Sequence, residues 1–109
     1  MDLNQYQHKS RETALYPNLG QNPIYPTLGL VGEAGEVADK VKKVLRDKEG
    51  VFDDEVKNSI KYELGDVLWY LAQLSTEFGF QFEDIAQENL KKLSGRAKRG
   101  KISGSGDYR

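Results

Sequence analysis

The 109-residue sequence contains no cysteine and only one histidine, His8. The absence of cysteine excludes disulfides, thiolate nucleophiles and thiolate metal sites. A single histidine cannot supply the two Glu-x-x-His ligand pairs of a di-iron bundle, and we interpret His8 as an ordinary helix-surface residue. Ser-His-Asp spacing and the P-loop pattern Gly-x-x-x-x-Gly-Lys-Ser/Thr are also missing. Any catalysis by this chain must therefore be assisted by a metal ion.

Long apolar runs and a strong charge of one sign are missing as well. No stretch is long enough to span a bilayer, and the N-terminal residues do not resemble a secretory signal. The net charge of −1 and the pI near 5.8 give no global attraction to nucleic acid or to an anionic membrane. We predict a cytoplasmic protein without membrane contact, and the charge argues against a nucleic-acid partner.

Apolar residues recur at helical spacing and no stretch alternates with a period of two, which predicts an all-α fold. We expect a helical hairpin with flanking helices, forming a four-helix-bundle-type core completed by oligomerisation. Residues 1–99 should form one domain, and residues 100–109, rich in Gly, Ser and basic residues, a flexible tail. The predicted helices run from about Leu3 to Tyr16, from an N-cap at Thr27 to a turn at Glu49-Gly50, from after Asp53 to Gly79, and from about Glu83 to Lys98.

Two matching acidic tetrapeptides dominate the central helices. The first is Glu33-Ala34-Gly35-Glu36, and thirty positions later comes Glu63-Leu64-Gly65-Asp66. Residues three apart lie side by side on a helix, and both motifs lie about fifteen residues from Gly50, so an antiparallel hairpin brings all four carboxylates to one height. Like charges held so close repel unless a cation lies between them. Hard divalent ions such as Mg²⁺ prefer this oxygen-rich ligand set.

The helical positions of these acids place the cluster at the rim of the helix interface. Glu33 and Glu63 fall beside the apolar stripes of their helices, while Glu36 and Asp66 fall one position further out. The glycines within the two motifs each cost roughly 1 kcal/mol relative to alanine in a helix, so we expect close backbone packing beside the site. The competing interpretation is a solvated face whose acids pair with nearby lysines such as Lys40.

A polar stripe follows the fourth predicted helix. Asn89, Lys92, Arg96 and Arg99 recur at spacings of three, four and three. This stripe is either a solvated helix face or a set of donors for the β- and γ-phosphates of a nucleotide. The basic tail is a solubilising end, a cover that orders over phosphates, or a nucleic-acid contact. Trp69 lies opposite the apolar stripe of its helix, and we expect it to pack against another helix or another chain.

The motif residues resemble those of the MazG-like nucleotide pyrophosphohydrolases. The resemblance is carried by Glu-x-x-Glu within Gly32–Asp39, by Glu-x-x-Asp within Glu63–Ala72, and by the block Asn89-Leu90-Lys91-Lys92-Leu93 with the arginines that follow. It covers most of the chain after Thr27. Residue 32 is glycine, whereas some relatives in the wider all-α pyrophosphatase superfamily have a further glutamate there, which leaves the number of metal ions open.

The resemblance implies hydrolysis of nucleoside or deoxynucleoside triphosphates to the monophosphate and pyrophosphate, with Mg²⁺, or Mn²⁺ as the alternative. It also implies a homodimer or homotetramer and a role in nucleotide-pool cleansing or control. Glu33, Glu36, Glu63 and Asp66 would be the metal ligands, and Glu36 and Glu33 the candidates for activating the attacking water. Asn89, Lys92 and Arg96 would contact the triphosphate, and Tyr70 is a further candidate substrate contact. The alternative is a non-catalytic helical module that binds nucleotide or metal.

Overall fold

The computed structural model describes residues 1–109 and contains four α-helices and no strand. This confirms the predicted all-α fold. None of the helices combines the length and the apolar character that crossing a membrane requires. The helices are α1 (Leu3–Ser10), α2 (Ile24–Asp47), α3 (Asp54–Glu77) and α4 (Phe82–Lys98), with a 3₁₀ turn at Arg11–Thr13 after α1.

Helices α2 and α3 form the predicted hairpin. Glu49 and Gly50 have φ angles of 54° and 77°, the left-handed conformation that ends α2 and reverses the chain. Asp53 caps α3, because its side chain accepts a hydrogen bond of 2.8 Å from the backbone N–H of Val56. The hairpin is the central unit, and the remaining elements pack around α3.

Two predicted helix limits are wrong. Helix α2 begins at Ile24 rather than at a Thr27 cap, because the Asn22 side chain accepts a hydrogen bond of 3.1 Å from the Tyr25 N–H. Thr27 lies inside the helix and its hydroxyl donates to the Pro23 carbonyl at 2.7 Å. Prolines are tolerated in a first helical turn, where the missing N–H has no partner to lose. Helix α1 ends at Ser10, well before Tyr16, and continues only as the short 3₁₀ turn.

Helix α1 joins the end of α3 to the start of α4. The Gln7 amide donates to the Thr76 hydroxyl at 3.0 Å and to the Phe80 carbonyl at 2.9 Å, and its oxygen accepts from the Phe82 N–H at 2.9 Å. The Asn4 oxygen accepts from the Glu83 N–H at 3.0 Å. The residue that precedes α4 makes no side-chain cap, so α1 satisfies the free N–H groups of that helix.

A second set of contacts fixes α1 and the following loop against α3. The Trp69 ring N–H donates to the Thr13 hydroxyl at 2.9 Å and to the Ser10 carbonyl at 3.2 Å, which confirms that Trp69 packs against another helical element. The Glu77 carboxylate, whose side chain is 0% exposed, pairs with Arg11 at 2.7 Å. It also accepts the N–H groups of the loop residues 20 and 22.

The single chain buries few side chains. Only 10 of 109 residues are buried, and the radius of gyration is 16.8 Å, against about 13 Å for a compact chain of this length. Large apolar side chains stay exposed along one face of α2, spaced as a helical stripe, and further ones lie on α3 and α4. The most exposed of them on α2 to α4 are Ile24, Leu28, Val31, Leu45, Tyr62, Leu64 and Leu90. The hairpin therefore has apolar surface that this chain alone does not cover.

Candidate metal centre

Three of the four motif carboxylates converge. Glu33 of α2 meets Glu63 and Asp66 of α3, and one candidate ligand atom from each lies within 4.8 Å of the others. Glu33 and Glu63 are half-buried and Asp66 is exposed, which places the cluster at the rim of the α2–α3 interface, as predicted. The thirty-residue offset explains this convergence, since it sets both motifs at equal distance from the turn.

Glu36 lies outside this group of three. It is exposed on α2, one turn beyond Glu33, and its negative charge is among the influences that raise the pKa of Glu33. The structure therefore places Glu36 next to the cluster, and Glu36 is more exposed than Glu33 and Glu63.

The pKa values of the two half-buried glutamates are shifted in opposite directions. Burial, followed by a hydrogen bond with Glu63 and by the charges of Asp66, Glu63 and Glu36, raises the pKa of Glu33. The pKa of Glu63 is lowered, chiefly by its bond to Lys40. The negative charges gathered in this cluster favour a cation between the carboxylate oxygens.

Lys40 is part of this site, although the sequence suggested only pairing along its own helix. Its ammonium lies 2.9 Å from a Glu63 oxygen and bonds the Ser59 hydroxyl at 2.6 Å and the Ser59 carbonyl at 3.1 Å. Counted outward from the Glu49–Gly50 turn, Lys40 and Ser59 are equally distant, so hairpin geometry could have identified this contact. By contrast, Lys43 pairs with Asp39 of its own helix at 2.7 Å.

The expected backbone packing at the motif glycines is not found within the chain. A methyl group at Gly35 or Gly65 would meet nothing within 4 Å. Close approach occurs instead at Gly29, where a β-carbon would overlap the Tyr70 ring. Gly29 lies one turn before Glu33, so it leaves room for Tyr70 beside the acidic cluster.

Tyr70 connects the cluster to a group of aromatic side chains that no sequence motif predicted. The Tyr16 and Tyr25 rings stack with centroids 4.9 Å apart, Tyr25 lies 6.4 Å from Tyr70, and Trp69 meets Tyr70 edge-on at 5.0 Å. Burial raises the pKa of Tyr70, and the neighbouring Tyr25, Glu33 and Asp66 raise it further. These rings line a cavity of about 280 Å³ together with residues 13, 15 and 17. No repeat or spacing signals this group, because its members come from two separate segments.

The polar stripe of α4 forms no hydrogen bond or ion pair with the acidic cluster within one chain. Asn89 and Lys92 are exposed, whereas Arg96 is buried and donates to the carbonyls of Gly106 and Asp107 at 3.2 and 2.8 Å. The charged groups that shift the pKa values of Glu33 and Glu63 belong to α2 and α3 alone. The tail thus folds back on α4, with Arg96 as its anchor.

The donor set suits a hard divalent cation. It consists of carboxylate oxygens, contains no soft ligand, and opens to solvent through Asp66. A single Mg²⁺ bound there would have protein oxygens on one side and space for water and phosphate oxygens on the other. The residues present therefore fit such an ion.

Comparison with known proteins agrees with the geometry. The family model described as "MazG nucleotide pyrophosphohydrolase domain" matches residues 21–100, which include both acidic motifs and all of α4. The chain is 47% identical over 114 aligned residues to the Gene 37 protein of Mycobacterium phage L5, and the alignment covers 100% of both chains. No solved structure shows a significant match.

Proposed function

This chain belongs to the family of MazG nucleotide pyrophosphohydrolase domains, and from that premise we propose that it hydrolyses nucleoside or deoxynucleoside triphosphates to the monophosphate and pyrophosphate. The observation that carries the proposal is the convergence of Glu33, Glu63 and Asp66 at an open rim. Such an activity serves nucleotide-pool cleansing or control, and we assign it to the cytoplasm, where those pools are.

The three converging carboxylates are the proposed ligands of Mg²⁺, for which Mn²⁺ can substitute. When bound, the ion supplies positive charge that neutralises the phosphate oxygens and favours charge development at the reacting phosphorus. The chain itself provides the orientation: α2 and α3 hold their acids at one height, and the half-buried positions of Glu33 and Glu63 restrict their side chains.

Glu36 is the proposed base for the attacking water, with Glu33 as the alternative. Glu36 stands outside the three converging acids but next to them, so its carboxylate is available to take a proton. The water oxygen bonds to the α-phosphorus as its proton passes to the carboxylate. The bond from that phosphorus to the α–β bridging oxygen breaks, and pyrophosphate leaves with the electron pair.

The aromatic cavity is the proposed site of the nucleobase. Tyr70 borders both the acidic cluster and this cavity, so a substrate with its phosphates at the acids can extend its base toward Tyr25 and Trp69. Aromatic faces stack on any base, and about 280 Å³ accommodates one ring system beside open solvent. Tyr70 is then a substrate contact, as the sequence suggested.

We further propose that the working unit is a homodimer or a dimer of dimers. The exposed apolar stripe on α2 and the extended shape of the chain call for a second copy that buries them. The same association can bring the stripe of Asn89, Lys92 and Arg96 to the acidic cluster of the partner, where cationic donors would hold the triphosphate. Arg96 would exchange the tail carbonyls for phosphate oxygens.

A product-resolved assay in labelled water tests the reaction. The protein is incubated with each nucleoside triphosphate in water enriched in heavy oxygen, either with Mg²⁺ or with a chelator. The products are then separated and their masses are measured by mass spectrometry. We expect monophosphate carrying the label and unlabelled pyrophosphate, formed only with the metal. Label in pyrophosphate would place the attack on the β-phosphorus, and diphosphate with orthophosphate would contradict the proposal outright.

A pair of matched variants separates an enzyme from a binding module. Glu63→Gln should lower the rate of hydrolysis by about a hundredfold or more, because the loss of a ligand weakens the metal ion that stabilises the transition state. Asp39→Asn is the control, since Asp39 lies on α2 but pairs with Lys42 and Lys43 instead of the cluster. Nucleotide binding without turnover in the wild-type chain would identify a non-catalytic module.

A further inference from the structure

We propose that Lys40 occupies a second cation position of the acidic cluster, and that it thereby limits the site to one divalent ion. This inference rests on the metal site assigned above. It concerns a residue outside both acidic motifs, and it settles the number of metal ions that the motifs leave open.

The surroundings of the Lys40 ammonium resemble a cation site. Its three bonds go to a carboxylate oxygen of Glu63 at 2.9 Å, a hydroxyl of Ser59 at 2.6 Å and a carbonyl of Ser59 at 3.1 Å. Carboxylate, hydroxyl and carbonyl oxygens are also the donors that hard metal ions take from proteins. All three donor protons of the ammonium are thus used.

The side chain of Lys40 extends across the hairpin from α2 to α3. Glu36 stands one turn before it, at the spacing that favours an ion pair along a helix, yet the ammonium bonds to α3 instead. The side chains of Lys40 and Glu63 are 28% and 17% exposed, so the pair is more enclosed than the surface pair of Lys43 with Asp39, at 52% and 33%. Enclosure strengthens the attraction and makes the contact a fixed part of the site.

Glu63 therefore lies between the Lys40 ammonium and the proposed position of the metal ion. One oxygen of Glu63 faces Lys40, and the same carboxylate belongs to the three converging acids. The ammonium closes the Ser59 side of Glu63 to a metal ion and repels any second divalent charge nearby. What remains is one ion position, between Glu33, Glu63 and Asp66.

Replacing the lysine by a neutral side chain should open the second position. In Lys40→Met the oxygens of Glu63 and Ser59 lose their cation, and the local negative charge rises by one unit. We expect the wild-type protein to bind one Mn²⁺ per chain and the variant to bind two. Calorimetric titration and the electron paramagnetic resonance signal of free Mn²⁺ measure these numbers. Lys40→Arg, which keeps the charge, should still bind one.

Lys43→Met is the matched control, because Lys43 has the same charge on the same helix and forms its ion pair with Asp39, outside the cluster. It should bind one Mn²⁺. Two ions on the wild-type chain, or only one ion on Lys40→Met, would overturn the inference while leaving the proposed function intact. No ion on any of the proteins would overturn the metal site itself. Thermal melting checks that each variant is folded, and Lys40→Gln replaces Lys40→Met if it is not.

Discussion

The Arg11 guanidinium lies 2.7 Å from the Glu77 carboxylate, and this pair ties the first helical segment to the end of α3. The same carboxylate accepts backbone N–H groups of Gly20 and Asn22, at 3.0 and 2.6 Å, from the loop before α2. That loop carries Tyr16 into the aromatic cavity. Glu77, which lies outside the acidic cluster, thus fixes the segments that line the aromatic cavity, the proposed site of the nucleobase.

Glu77→Gln should destabilise the chain by about 2 kcal/mol, because it weakens several charge-assisted hydrogen bonds to a buried group. Urea denaturation at neutral pH measures the change. Glu12→Gln is a suitable control, since Glu12 is exposed and forms no ion pair. A loss of the same size in both variants would show that the contacts of Glu77 have no special role.

The contribution of Glu77 to stability should also depend on pH. Burial acts to raise the pKa of Glu77, but the Asn22 N–H, the Arg11 guanidinium and the Gly20 N–H outweigh it and lower the pKa. The stabilisation is therefore complete above the ordinary glutamate pKa of 4.5, and is lost as the pH falls through the lower pKa of the folded state. As the pH falls from neutral to below the folded pKa of Glu77, the free energy of unfolding should decrease less for Glu77→Gln than for the wild type. Parallel curves would contradict this.

Gly29→Ala and Gly32→Ala should have opposite effects on stability. A methyl group at Gly29 would overlap Tyr70, whereas one at Gly32 meets nothing within 4 Å. Overpacking costs about 1–3 kcal/mol, and removing a glycine from an exposed helix position gains up to about 1 kcal/mol. Thermal melting should therefore show a lower midpoint for Gly29→Ala and a higher one for Gly32→Ala. An unperturbed midpoint in Gly29→Ala would mean that Tyr70 moves away freely.

Glu33→Gln should raise the thermal midpoint of the metal-free protein and abolish its stabilisation by Mg²⁺. The pKa of Glu33 is raised, so its ionisation opposes folding once the pH exceeds the unfolded value. Glutamine removes that repulsion at neutral pH but also removes a ligand. Melting curves with chelator and with Mg²⁺ measure both effects. A variant that Mg²⁺ still stabilises as much as the wild type would exclude Glu33 from the ligand set.

Val31→Glu should prevent self-association, because Val31 is 66% exposed in the middle of the apolar stripe on α2. Light scattering after size separation measures the mass of the wild type and of the variant. Val51→Glu is the control, because Val51 lies in the turn between α2 and α3 and is 60% exposed. A monomeric wild-type chain would remove the proposed assembly.

Features that depend on interactions between residues close in sequence could be predicted, and those that depend on distant residues could not. The α3 start at Asp53 and the convergence of Glu33 with Glu63 depend on local capping and on a regular hairpin offset, which a sequence displays. The role of Glu77 could not be predicted, because its partners lie 55–66 residues away. The start of α2 could not be predicted, because the N-cap residue is Pro23 and the first turn contains Pro26, a pattern typical of a loop.

The distribution of contacts along the chain also sets an order for folding. Helices α2 and α3 are neighbours in sequence joined by a short turn, so their pairing closes a small loop and should form early. Helix α1 and its 3₁₀ extension are fixed by side-chain bonds that span 56–79 residues, including those of Gln7, Arg11 and Trp69. Such contacts form late and open first. The acidic cluster therefore lies on the hairpin that should fold first. The aromatic cavity is complete only when the N-terminal segment packs against α3.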